Sequence, residues 1–354
     1  MVPHSGMLLL LLACAEEPVE TVDLVTELTS PGPYAVGYRV SEVRYEDPDG
    51  ERVLRLALWY PSSDKSGHDA EYLDALEAPG VWEDAQPASG SFPLVVFSHG
   101  HRGYAENSGF LMQHLASHGW VVAAPDHTGN TTFDDEYRHT NIYYQRPLDI
   151  SAVIDHMLAL PADDPLHGLP RQPIVAMGHS FGGYTLHALA GATYDLEQLL
   201  PACADGTGNP NFCGELDEAA QARFAAGFFE DRISAFIPMA AGDYGLFGPG
   251  LAAAQGPILM MNGTLDPNTE LPLIWEGLQG EDREHLTILG GGHQTFTDFS
   301  GILEHMDGLI DPEEGFRIID AWALAWARVY TGDESPRPLL DGEVSVSDSA
   351  EIER

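Results

Sequence analysis

The chain has 354 residues, enough for one large α/β domain, and 44% of them are hydrophobic. Acidic residues number 55 against 16 Lys plus Arg, a formal net charge of -39, and Lys65 is the only lysine. Such a field repels nucleic acid and anionic membrane surfaces, so no nucleic acid partner is expected and an anionic membrane surface is a poor one. It accords with solubility in an extracellular or salty setting.

Residues 7–12 form an apolar run that ends at Leu11-Leu12-Ala13-Cys14. The run is too short to span a bilayer and suits the apolar core of a signal peptide over residues 1–13. The Leu-Leu-Ala-Cys pattern resembles the lipobox of bacterial lipoproteins, which implies lipid on Cys14 and a membrane anchor. "MVPHSG" lacks the usual Lys or Arg, so a secretory signal cleaved elsewhere and an unrelated apolar stretch stay open. Residues 14–33, rich in Glu, Val, Thr and Pro, read as a tether.

"YAVGYRVSEVRYED", Asp49-Gly50 and "RVLRLALWYP" predict a β-hairpin: alternating patterns around a turn dipeptide. Residues 62–92 are a polar excursion with a short helix expected near 70–76. "PLVVFSHG" predicts a buried strand, "GFLMQHLASHG" a helix stopped by Gly119, "WVVAAPDH" a strand, "RPLDISAVIDHMLAL" a helix and "PIVAMGHS" a strand. Strand signals then stop over residues 192–231, an expected insertion with an Ala-rich helix around 216–228. "ISAFIPMAAGD", "PILMMNGTLD" and "HLTILGGGH" predict three more strands, and "PEEGFRIIDAWALAWARVY" a closing helix. Residues 333–354 read as an acidic tail. Alternating strands and helices predict a parallel sheet covered on both faces. A site is expected beyond the carboxyl ends of its strands. Its pocket walls are expected from residues 62–92 and 192–231.

Cys203 and Cys213 stand ten residues apart inside the insertion. An oxidising compartment would join them in a disulfide; two free thiols are the alternative. A zinc site is disfavoured because two ligands with no nearby His are too few.

Gly178-His179-Ser180-Phe181-Gly182 follows a buried strand and opens a helix. Gly-x-Ser-x-Gly in that setting is a nucleophile elbow, which lifts a serine hydroxyl above the sheet. A serine needs a base. Of the 15 histidines, His293 in "LGGGHQTF" follows the last strand, where the chain order serine, acid, histidine puts it. His285 precedes that strand, His179 is inside the elbow, and His305 lies later, on an expected surface helix. The acid should end an earlier strand. Asp266 in "GTLDP" fits, and Asp243 in "GDYG" competes. The N–H of Phe181, at the start of its helix, and that of His101 in "SHGHRG" are the expected oxyanion donors.

"LALWYP", "VVFSHGHRGYAENSGFLMQHLASHGWVVAAPDH", "RPLDI", "GHSFGGYT", "GTLD" and "GGGH" resemble bacterial dienelactone-hydrolase-like esterases and the plasma-type platelet-activating factor acetylhydrolase family. More distantly, they resemble cutinases and polyester hydrolases. The resemblance runs from Tyr38 to Tyr330. It implies an α/β-hydrolase domain over 34–332 and a serine carboxylic-ester hydrolase with no metal or cofactor. True dienelactone hydrolases use a cysteine where this chain has Ser180, so the resemblance does not extend to that substrate. The implied substrates are short-acyl esters, including acetylated phospholipids, with polyester cleavage as an alternative. A non-catalytic binding lipoprotein on the same scaffold is the alternative of another class. An exported protein is expected, anchored through Cys14 or else periplasmic or extracellular.

Overall fold

Eleven strands are found in one sheet among the residues that the computed structural model describes, 23–134 and 139–354. In chain order they are β1 Ala35–Asp47, β2 Gly50–Ser62, β3 Asp69–Tyr72, β4 Leu76–Glu83, β5 Phe92–Ser98, β6 Val121–Pro125, β7 Pro170–His179, β8 Ile233–Met239, β9 Ile258–Gly263, β10 Arg283–Ile288 and β11 Ala350–Glu353. The order across the sheet is β11-β10-β9-β8-β7-β5-β6-β2-β1-β4-β3. From β10 to β6 all neighbours are parallel, and β2 and β1 continue antiparallel as the predicted hairpin, closing at the Asp47–Gly50 pair. The central strands read as unbroken apolar runs because both their faces are covered.

On one face lie α1 (Leu24–Thr29), α2 (Gly109–Ser117) and the closing helix Pro312–Val329. On the other lie α3 (Thr140–Leu158), α4 (Phe181–Leu189) and the insertion with α5 (Leu196–Asp205), α6 (Pro210–Cys213) and α7 (Glu218–Ala226). Trp322 and Trp326, on the inner side of the closing helix, are core residues.

The helix expected from Arg146 starts earlier, at Thr140, and carries Pro147 inside it. A proline cannot donate to the carbonyl four residues back. Here that carbonyl, Tyr143 O, accepts instead from the Tyr184 hydroxyl of α4 at 2.8 Å. The interruption is thereby satisfied by the neighbouring helix.

Three expectations change. The region near 70–76 is not helical: β3 and β4 form a hairpin that turns at Leu73 and Asp74, both at positive φ. Ala70 and Tyr72 bury alternate side chains, and the Tyr72 hydroxyl accepts from Trp59 Nε1 at 2.7 Å. Residues 333–354 are folded rather than a tail. Leu339, Leu340 and Val346 are buried, and β11 pairs antiparallel with β10. The tether expectation fails from residue 23 onward, where Asp23 caps α1 and Leu28 is buried. Its earlier part, the leader and Cys14 lie outside the described residues.

Cys203 and Cys213 are bonded, joining α5 to α6. Phe212 and Phe224 of the insertion pack on Tyr143 and Tyr144 of α3. Replacing both cysteines with serine is expected to lower stability by about 3 kcal/mol, the chain-entropy value for so short a ring. Urea unfolding without reductant measures it, and a double variant equal to the wild type would refute it.

Candidate active site

β7 ends at His179 and α4 begins at Phe181, so Ser180 alone makes the corner, at φ 55 and ψ -115. That φ lies in the left-handed region, which costs a serine strain. Backbone bonds hold it there: Ser180 N–H donates to Met239 O and Gly183 N–H to Ser180 O, each at 2.8 Å. The flanking glycines are required by contact. A Cβ on Gly182 would stand 1.8 Å from Ser98 O, and one on Gly178 would stand 2.8 Å from the Gly182 carbonyl.

His293 follows β10 and sets its Nε2 2.9 Å from Ser180 Oγ. Its Nδ1 lies 2.9 Å from Asp266 Oδ2. The Asp266 carboxylate is fully buried, while the imidazole is one-quarter exposed. The two loops are stitched together by backbone. Leu265 N–H donates to Gly291 O at 2.8 Å and Thr264 N–H to Ile288 O at 3.0 Å. They run so close that a Cβ on Gly263 would meet Gly291 O at 2.1 Å. The other Asp266 oxygen accepts from Asn268 N–H at 2.8 Å. Asp243 follows β8 in a left-handed conformation and lines a different cleft, with Gln198, Leu246 and Glu270. The carboxylate brought to His293 is that of Asp266. His285 instead faces Asn262, and His305 is exposed in a loop rather than on a helix.

The loop after β5 lies against the serine: a Cβ on Gly100 would stand 3.3 Å from Ser180 Cβ. Gly100 O accepts from Gly103 N–H at 3.1 Å and from His99 Nδ1 at 2.7 Å. In a planar trans peptide the next N–H points the opposite way, so the His101 N–H is turned away from those contacts. Phe181 opens α4, where the first N–H groups have no acceptor inside the helix.

The cavity at Ser180 measures about 240 Å³, and its walls include His101, Tyr104, Thr132, Gln294, Phe299 and Leu303. None of the described lining residues comes from 62–92 or 192–231, contrary to expectation. The first segment builds the far sheet edge, and the second packs on α3 and α4.

Two features escaped the sequence reading. His179 donates from Nε2 to His293 O at 2.9 Å, bracing the loop that carries the base. Burial and the neighbouring His293 push its pKa down to about 3, so it stays neutral. Arg146, fully buried under the β5 loop, was visible only as the start of an expected helix and as part of the "RPLDI" resemblance. A serine in line with an imidazole and a buried carboxylate is a constellation that can generate a nucleophile for attack on a carbonyl.

The sheet order and the serine on its strained corner define an α/β-hydrolase fold. The chlorophyllase family model matches residues 84–202. Over 217 residues the chain is 24% identical to the platelet-activating factor acetylhydrolase of Cavia porcellus, covering 44% of this chain and 50% of that one. It is 29% identical over 111 residues to a cutinase of Thermobifida alba, covering 31% and 34%. The chain thus matches half or less of the length of these relatives. Among solved structures, a ferulic acid esterase from Streptomyces cinnamoneus shares the fold with a TM-score of 0.64, over 93% of this chain and 99% of that one, at 20% identity. Together these comparisons make the chain similar to carboxylic-ester hydrolases, with the α/β-hydrolase fold in common. Among the described residues, no helix is long and apolar enough to cross a membrane.

Proposed function

We propose that the protein is an exported serine carboxylic-ester hydrolase. The observation that carries this reading is the line of contacts from Ser180 Oγ through His293 to Asp266, 2.9 Å at each step. Ser180 attacks the ester carbonyl as His293 Nε2 takes its proton. Asp266 keeps the other ring proton on Nδ1 and stabilises the imidazolium. The N–H groups of Phe181 and His101 hold the developing oxyanion, each contributing about 3 kcal/mol to the transition state. His293 then protonates the leaving alcohol and activates the water that releases the acid.

Short acyl groups, acetyl above all, are the proposed substrates. The small cavity with its Tyr104, Phe299 and Leu303 wall supports this, as does the acetylhydrolase among the relatives. Polyester cleavage is a second reading, favoured by Leu303, which lines the cavity yet is 63% exposed, and by the exposed Ile302 beside it in the chain. Nitrophenyl esters of increasing acyl length, a short-acyl phospholipid and a polyester film separate the two. Turnover that falls steeply beyond butyrate, with the film untouched, supports the first; the reverse supports the second. No turnover of any ester overturns both.

The bonded cysteine pair supports an oxidising compartment, and the Leu-Leu-Ala-Cys pattern supports lipid on Cys14. Expression of the native gene is expected to give protein that partitions into detergent, with processing blocked by globomycin. Soluble mature protein cleaved away from Cys14 would refute the anchor.

A further inference from the structure

Arg146 stands in α3 with 0% of its surface exposed. Arginine is almost never so deeply buried unless its donors are engaged. Nη2 donates to His99 O and, at 3.1 Å, to Ser98 Oγ. Nη1 donates to Asn130 Oδ1 at 2.8 Å, and Nε to Thr185 Oγ1 at 3.1 Å. The guanidinium carbon lies 4.6 Å from the centre of the Phe181 ring. One side chain thus touches the end of β5, the loop after β6 and the first turns of α4.

These contacts converge on the two backbone donors of the proposed oxyanion hole. On the β5 side, His99 O and Gly100 O are successive carbonyls. Arg146 holds the first, and the His99 ring holds the second. The ring cannot choose otherwise: its Nε2 accepts from His127 N–H at 3.0 Å, so its proton stands on Nδ1. Burial and the nearby guanidinium keep it neutral. His127 is set in turn by Asp149, whose Oδ2 lies 2.8 Å from Nδ1. Its Nε2 is left to accept the Ser98 hydroxyl at 2.9 Å. The Ser98 oxygen then has a lone pair for Arg146. Asn130 completes the clamp. With its Oδ1 on Arg146, its Nδ2 donates to His101 Nδ1 at 2.9 Å, and its carbonyl accepts from Arg102 N–H at 3.1 Å. On the α4 side, Thr185 Oγ1 receives Arg146 and donates to Phe181 O at 3.1 Å. Fixing the Gly100 carbonyl fixes the His101 N–H in the same peptide plane. The Phe181 N–H shares its plane with Ser180 O, which accepts from Gly183 N–H at 2.8 Å, so on this side Arg146 anchors the residue through its ring and, by way of Thr185, its own carbonyl.

We propose that Arg146 is a positioning residue that sets the separation and aim of the His101 and Phe181 N–H groups. It acts through His99 O and Asn130 on one side and through Thr185 and the Phe181 ring on the other. The inference rests on the serine-esterase reading above. The planar fork matters beyond the charge, because four acceptors on three segments are reached from one rigid group, which a lysine cannot reproduce.

The test is nitrophenyl acetate kinetics, with kcat expressed per site titrated by a fluorophosphonate. Arg146→Lys is expected to lose about 100-fold in kcat with KM within about twofold, the pattern of an interaction made in the transition state. Affinity for a boronic acid that forms the tetrahedral adduct on Ser180 should fall by the same factor. If Arg146→Lys does not fold, Asn130→Ala carries the test. It keeps the guanidinium, releases His101, and is expected to lose about tenfold in kcat at unchanged KM. A purely structural role would lower Tm or the titratable fraction and leave kcat per titrated site at the wild-type value; that result in a folded variant overturns the inference alone. A wild type that turns over no ester overturns the esterase reading, and the inference with it.

Discussion

Ser180→Ala is expected to abolish ester turnover while leaving the fold in place. The side chain of Ser180 contributes one hydrogen bond, to His293 Nε2. The corner itself is held by backbone bonds to Met239 and Gly183 and by the close approach of Gly182 to Ser98, none of which needs the hydroxyl. Alanine at φ 55 meets about the same strain that serine does, so unfolding free energy should change by less than about 0.5 kcal/mol, as for substitutions that remove no packing or buried partner. Turnover should fall by about 10⁶, the scale of losing the nucleophile of such a triad. What remains comes from binding and the oxyanion donors, roughly 10³–10⁴ over water. The variant should also resist labelling by a fluorophosphonate. Retention of more than about a thousandth of the wild-type kcat, in a preparation free of other esterases, would remove Ser180 from the mechanism.

The parts of the fold that were legible are those whose signal is local. β5 to β9 announce themselves as apolar runs because both faces of a central parallel strand are covered, and most of them end in a small-residue turn. Gly178 and Gly182 flank a serine between a strand and a helix, which left few other meanings for the corner. The rest depends on distant partners. β3 and β4 are short and half-polar, and become strands only because Tyr72 finds Trp59 and Tyr38. β11 carries the sequence Ala-Glu-Ile-Glu, and only the free edge of β10 makes it a strand. Arg146 looks in sequence like a charge on the outer face of a helix. Its burial follows from acceptors on β5, on the loop after β6 and on α4, which no periodicity reveals. The pocket walls were misplaced for a related reason. A long irregular insertion suggests a pocket wall, but Phe212 and Phe224 of this one are spent on α3, and the cavity is lined chiefly by the loops after β5 and β10.

Asp266→Asn should cripple the enzyme, and Asp243→Asn should not. Both residues follow a buried strand at the carboxyl edge of the sheet, so the difference lies in what each loop touches. The Asp266 turn is tied to the His293 loop through Leu265, Thr264 and the crowded Gly263–Gly291 contact. Its Oδ1 is engaged by Asn268 N–H, and its Oδ2 faces His293 Nδ1. In Asp266→Asn the amide oxygen is expected to keep the bond from Asn268, because an amide nitrogen cannot accept it. The –NH₂ group then faces Nδ1. A donor there forces Nδ1 to accept, so the ring proton moves to Nε2, the atom that must receive the proton of Ser180. The geometry survives and the base is lost, which corresponds to a fall of about 10⁴ in kcat. Asp243 sits at φ 63 and ψ 31, a left-handed conformation that asparagine adopts readily, and its cleft is walled by Gln198, Leu246 and Glu270 rather than by His293. Asp243→Asn should therefore stay within about threefold of the wild type, the scatter of a substitution that leaves the transition state untouched. The decisive measurement is kcat for both variants on one ester, at the pH optimum of the wild type and two units above it. A wrong tautomer is not repaired by raising the pH within the neutral range, whereas a merely weakened acid is partly compensated once the imidazole is fully neutral. If Asp243→Asn is the crippled variant and Asp266→Asn stays active, the acid belongs to the loop after β8, and the contact between Asp266 and His293 is only a brace for the base.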